Sequence, residues 1–107
     1  MQDYFEYQNA SITVCNQNAD VIYQNANSRK IFGDVISKSL FECHPKHACD
    51  KIKKMLIDGV PNSYTISKNG VKKLIYQTPW RDSEDKISGL IEYSFVIDEV
   101  MPHFVRS

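Results

Sequence analysis

The sequence predicts an α+β domain in which a five-stranded antiparallel sheet carries short helices packed over one face. Three observations lead there. Two runs rich in β-branched and aromatic residues flank a polar turn across residues 10–24, an amphipathic stretch occupies the middle of the chain, and three strand-like runs separated by short turns fill residues 62–97. Helices set between two groups of strands place the chain in the α+β class.

Residues 10–15 and 21–24 form the first hairpin, because Ile12, Val14, Val21 and Tyr23 favour a pleated backbone while residues 16–20 hold the Asn and Asp that make turns. Asn25 then caps a helix over 26–32, and Gly33 stops it, with Ala26, Ile31 and Phe32 expected to be buried. Residues 34–43 show no period, yet Val35, Ile36, Leu40 and Phe41 are too apolar for a solvated linker, so packed irregular turns are expected. Pro45 suits a first helical turn, Ala48, Ile52, Met55 and Leu56 recur on one face, and Asp58-Gly59 ends this second helix. Lys46, Lys51, Lys53 and Lys54 point mostly elsewhere and read as a solvated surface, since no stacking aromatics alternate with them.

Strands over 62–67, 71–80 and 87–97 follow, joined by turns at 68–70 and 81–86. Asn69-Gly70 is a tight-hairpin signal because both residues tolerate positive φ. In the last strand Ile87, Gly89, Ile91, Tyr93, Phe95 and Ile97 share one face, while Leu90 and Val96 leave the other only partly polar. The face without helices needs cover from Tyr4, Phe5 and Tyr7 or from a second subunit.

At 107 residues the chain has room for one domain, expected over 10–98, with a cap segment at 1–9 and a tail at 99–107. Thirteen basic residues balance thirteen acidic ones, so the broad attraction that nucleic acid or an anionic membrane requires is missing. Neither a membrane span nor a signal peptide is legible, and a cytoplasmic location is expected. Cys15, Cys43 and Cys49 cannot all pair within one chain, so reduced thiols are expected.

The order strand, strand, short helices, longer helix, three strands resembles that of PAS domains, over nearly residues 10–98. The run Val21-Ile22-Tyr23-Gln24-Asn25-Ala26-Asn27 is similar to the PAS segment where the second strand meets an Asn-Ala helix start, with Phe32-Gly33 closing it. Trp80-Arg81-Asp82 through Lys86-Ile87-Ser88-Gly89-Leu90-Ile91-Glu92 resembles the final PAS hairpin. Phe41-Glu42-Cys43-His44-Pro45 resembles the element of small bacterial PAS sensors and of PAS domains joined to hemerythrin-like modules. Two features depart from the pattern: residues 16–20 lack the usual Gly, and Ile97-Asp98-Glu99-Val100 matches only part of the Asp-Ile-Thr ending.

The resemblance implies a cupped sheet around a small pocket, hence a sensor of a small ligand or cofactor, or a homodimeric interaction module. It would act in signal transduction through a partner protein or a fused output domain. Inward residues expected at such a pocket are Ile12, Val14, Phe32, Ile36, Leu40, Phe41, Met55, Leu56, Tyr76, Thr78, Ile91 and Tyr93. The bland alternative, core filling, is the favoured reading for most of them, since apolar periodicity does not separate packed volume from ligand volume. The hydroxyls of Tyr76, Thr78 and Tyr93 say more, because a buried hydroxyl needs a partner.

Cys43, His44, His47 and Cys49 offer thiol and imidazole groups suited to zinc or haem iron, so a metal- or haem-binding redox sensor is the alternative reading. Their spacing matches no zinc signature, and organisation of the helix start explains His44 and Pro45 without a ligand. A redox thiol at Cys43 is a third role. Catalysis is not expected: no phosphate loop or nucleophile elbow is present, Glu84 and Asp85 fall in a turn, and His103 lies near the terminus.

Overall fold

The computed structural model describes residues 3–107, apart from the side chain of Cys43. Its elements are β1 (Ser11–Asn16), β2 (Val21–Gln24), α1 (Ala26–Phe32), α2 (Leu40–Cys43), α3 (Lys46–Asp58), β3 (Asn62–Lys68), β4 (Val71–Arg81) and β5 (Ile87–Val96). The strands form one antiparallel sheet in the order β2-β1-β5-β4-β3. The last strand thus lies in the middle, between the first and second hairpins. No helix among the described residues is long and apolar enough to cross a membrane.

Local chemistry explains the boundaries. Asn25 is fully buried and uses its whole side chain: Oδ1 accepts from the amides of Ile12 and Ser28, both at 3.0 Å, and Nδ2 donates to the carbonyls of Phe5 and Ala10, both at 2.8 Å. One residue therefore caps α1 and ties the N-terminal segment to β1. Gly59 ends α3 in the left-handed region at φ 73°, donating to the Met55 carbonyl. Asn69 and Gly70, both at positive φ, close the β3–β4 hairpin.

Cys15 and Leu90 from the sheet meet Ala19 and, from α3, Ile52 and Met55 in the core, with Leu40, Phe41 and Leu56 packed against it. This sets the sheet's polarity. Strand alternation then places Ser11, Thr13, Ile75, Gln77, Glu92 and Ser94 on the helix-facing side, and Ile12, Val14, Tyr76, Thr78, Ile91, Tyr93 and Phe95 on the other.

Three expectations need correction. The apolar face of β5 turns away from the helices, because the Leu90 side is the one that meets α3. Helix α1 buries Ser28, not Ile31 and Phe32, which are 40% and 50% exposed; it lies against polar Thr13 and Gln24. Residues 34–43 are not wholly irregular, since Ser39 accepts from the Phe41 amide and starts α2. Of the aromatic N-terminus, Phe5 borders the outer face while Tyr4 and Tyr7 remain exposed.

Candidate functional site

Register builds a polar rung across the whole sheet. Gln24 of β2 pairs with Thr13 of β1, Thr13 with Glu92 of β5, Glu92 with Gln77 of β4, and Gln77 with Asn62 of β3. All five positions fall on the helix-facing side, where a face used only for packing would be apolar. Gln77 Nε2 donates to Glu92 Oε2 at 2.7 Å, and Asn62 Nδ2 donates to Gln77 Oε1 at 3.0 Å. At the other end Thr13 Oγ1 and Ser28 Oγ lie 2.7 Å apart, and Gln24 Nε2 donates to Ser28 Oγ at 3.0 Å.

Over this rung the helices leave space in two lobes. The larger, about 390 Å³, is bordered by His44, His47, Ala48, Lys51, Ile52, Asn62, Tyr64 and Gln77. The smaller, about 160 Å³, is bordered by Thr13, Val21, Phe32, Val35, Leu40, His44 and Glu92. A narrow void of about 30 Å³ lies between them over Thr13, Gln77 and Glu92, and His44 borders both lobes. His44 Nδ1 sits 2.8 Å from the Leu40 carbonyl, which only accepts, so Nδ1 carries the proton and Nε2 remains for another partner.

The electrostatics centre on Glu92. Burial, with the Glu92 carboxylate adding to it, pushes the Tyr64 hydroxyl above its ordinary value. The Cys15 thiol is pushed up chiefly by burial, with Glu92 and Asp20 contributing against a hydrogen bond at Leu90. Neither is poised as an ionised group.

The twelve pocket residues read from the sequence divide between two faces and cannot line one cavity. Phe32 and Leu40 border the smaller lobe, Phe41, Met55 and Leu56 belong to the core, and Ile36 is 40% exposed. Ile12, Val14, Ile91 and Tyr93 instead border an outer hollow of about 270 Å³ with Asp3, Phe5 and Tyr23. Tyr76 lies beside Tyr93 on that face, ring centroids 6.3 Å apart, and Thr78 pairs with Ile91. Thr13, Asn62, Gln77 and Glu92 escaped notice because polar residues alternating with apolar ones look like a solvent face; the matching polar positions in four separate strands were the available signal.

Among the described residues no group of three His, Cys, Asp or Glu side chains converges on a point. His44 and His47 border the larger lobe, whereas Cys49 is buried beneath the α2–α3 connection, its thiol directed to the carbonyls of Phe41 at 3.5 Å and His44 at 3.4 Å. The Cys43 side chain lies outside the described residues. The expected turn positions of Glu84 and Asp85 hold, with Asp82 accepting from the amides of Glu84 and Lys86.

No protein-family model and no curated protein sequence matches the chain. Solved structures do. The PAS domain of a Colwellia psychrerythraea protein matches with a TM-score of 0.68 at 16% identity, over 87% of this chain and 90% of that one. The Vibrio cholerae Aer2 receptor, described as a dual PAS-heme oxygen sensor, matches at 0.64 and 11% identity, over 83% and 95%. VqmA bound to DPO matches at 0.69 and 22% identity, over 89% of this chain and 55% of VqmA. With the strand order and helical cover described above, these matches show that the chain has the fold of a PAS domain.

Proposed function

We propose that the chain is a sensory domain of signal transduction, without catalytic activity of its own, that binds a small polar ligand between its sheet and its helices. The observation that carries this reading is the run of polar positions Thr13-Glu92-Gln77-Asn62 facing the lobes. Asn62, Gln77, Thr13 and Ser28 satisfy one another, but the second oxygen of Glu92 has no described partner, and a core alone would use apolar side chains there. Two neighbours of the same fold are described with a small molecule or cofactor, VqmA as bound to DPO and Aer2 as a PAS-heme oxygen sensor.

A ligand on the rung touches β1, β4 and β5 together with Leu40 and His44 of the α2 region, so its binding energy favours one arrangement of sheet and helices over others. The readout surface is the opposite face, where Tyr76 and Phe95 are 37% and 38% exposed. That apolar face supports homodimerisation, with a signalling protein or a fused output domain receiving the change.

A metal- or haem-binding redox sensor is the second reading, and the free Nε2 of His44 at the junction of the lobes is what favours it. Native mass spectrometry of the purified chain tests both. A small organic mass released on denaturation, on a dimer, is expected; an iron or zinc mass with a haem band or metal content favours the second reading. A chain that carries nothing and retains no member of a small-metabolite mixture would contradict both.

A further inference from the structure

Resting on the ligand-binding reading above, we infer that the smaller lobe takes a ring-sized molecule bearing a cationic amine, held by Glu92. The carboxylate has one described partner: Oε2 accepts from Gln77 Nε2 at 2.7 Å. The ion pairs among the described residues are Arg29 with Glu6, Arg81 with Asp85 and Lys86 with Glu84, so no described cationic side chain neutralises Glu92. Every fully buried side-chain nitrogen or oxygen among those residues has a partner, so the remaining oxygen of Glu92 is one the cavity leaves accessible. A carboxylate accepts and does not donate, and in a half-enclosed site a charged N–H donor is its strongest complement.

Shape gives the rest of the ligand. Val21, Phe32, Val35 and Leu40 make the walls around Glu92 and Thr13 apolar, and the volume of about 160 Å³ is close to that of apolar cavities, about 150 Å³, that take benzene. Thr13 Oγ1 already shares a hydrogen bond with Ser28, so the acceptors left to this lobe are the Glu92 carboxylate, which carries the charge, and the Nε2 of His44. An apolar ring with one protonated amine matches both the walls and the anchor. A carboxylate on the same ring would be repelled, and a neutral hydroxyl would form the weaker, uncharged bond.

The test compares benzylamine, benzyl alcohol and benzoate, which share the ring and differ in charge, by amide shifts of the isotope-labelled chain. Benzylamine is expected to perturb Thr13, Leu40 and Glu92 saturably, with affinity at least tenfold above the other two. Glu92→Gln is expected to remove that preference. Equal binding of benzyl alcohol or benzoate in the lobe, in the unaltered chain, overturns the cationic assignment and leaves the ligand-binding reading standing. Binding of none of the three also overturns it, while the ligand-binding reading answers separately to the native masses.

Discussion

Gln77 ties Glu92 to Asn62 across three strands: its amide nitrogen donates to the Glu92 carboxylate at 2.7 Å while its amide oxygen accepts from Asn62 at 3.0 Å. Both ends are used in the one orientation that a carboxylate acceptor and an amide donor allow. Gln77→Leu would strip both neighbours of their partner while filling part of the same space. A loss of about 1–2 kcal/mol is expected in urea unfolding, together with release of ligand mass from the purified chain.

Asn25 makes four side-chain hydrogen bonds, and Asn25→Ala orphans two amides and two carbonyls at once. The expected loss is about 3 kcal/mol or more, read as a lower midpoint in denaturant. Asn25→Asp keeps the acceptor for Ile12 and Ser28 but sets a buried carboxylate oxygen against the Phe5 and Ala10 carbonyls, so it should lose at least as much as the alanine variant.

Gly89 lies beneath the Trp80 indole, whose Nε1 donates to the Cys15 carbonyl at 3.0 Å. A Cβ at Gly89 would stand 1.9 Å from that carbonyl oxygen and 2.5 Å from Nε1. Backbone is the obstacle, so relief requires moving β1. Gly89→Ala is expected to cost about 2 kcal/mol or more and to change the tryptophan fluorescence of the folded chain.

Tyr23 donates to Asp3 Oδ2 at 2.9 Å, and its hydroxyl is pushed up to about 12 by desolvation first and by the Asp3 bond and charge next. The folded chain therefore holds this proton after the unfolded chain has lost it. Stability should fall as pH rises from about 10, the ordinary tyrosine range, through about 12. Denaturant midpoints measured across that range should drop less steeply for Tyr23→Phe than for the parent.

Much of this fold is legible in the sequence because its punctuation is local. Asn25 after the Val21-Tyr23 strand run, Asn69-Gly70 between strands and Gly59 after the Ile52-Met55 face each fix a boundary through the backbone chemistry of one or two residues. The facing of the sheet is not local. In β5 Leu90, Glu92 and Ser94 alternate with Ile91, Tyr93 and Phe95, and hydrophobicity alone sends the second set inward. Helix α3 meets the first set because Cys15 and Leu90 form its contact, and the polar residues beside them then line space rather than solvent. Ser28 of α1 follows the same logic: it is buried because its partner Thr13 is polar.

The same inversion explains the scattered histidine and cysteine run. Adjacent residues at the start of α3 diverge by about 100° each, so His47 reaches the larger lobe while Cys49 enters the core. Sequence proximity gave no means to separate them.

The most direct measurement is a crystal structure of the chain with whatever small molecule it retains from cells. Density resting on Thr13, Gln77 and Glu92, beneath Leu40 and His44, is the expected result. Density confined to the Ile12, Ile91 and Tyr93 side, or lobes closed by apolar side chains, would contradict a sensor that reads its ligand on the helix-facing rung.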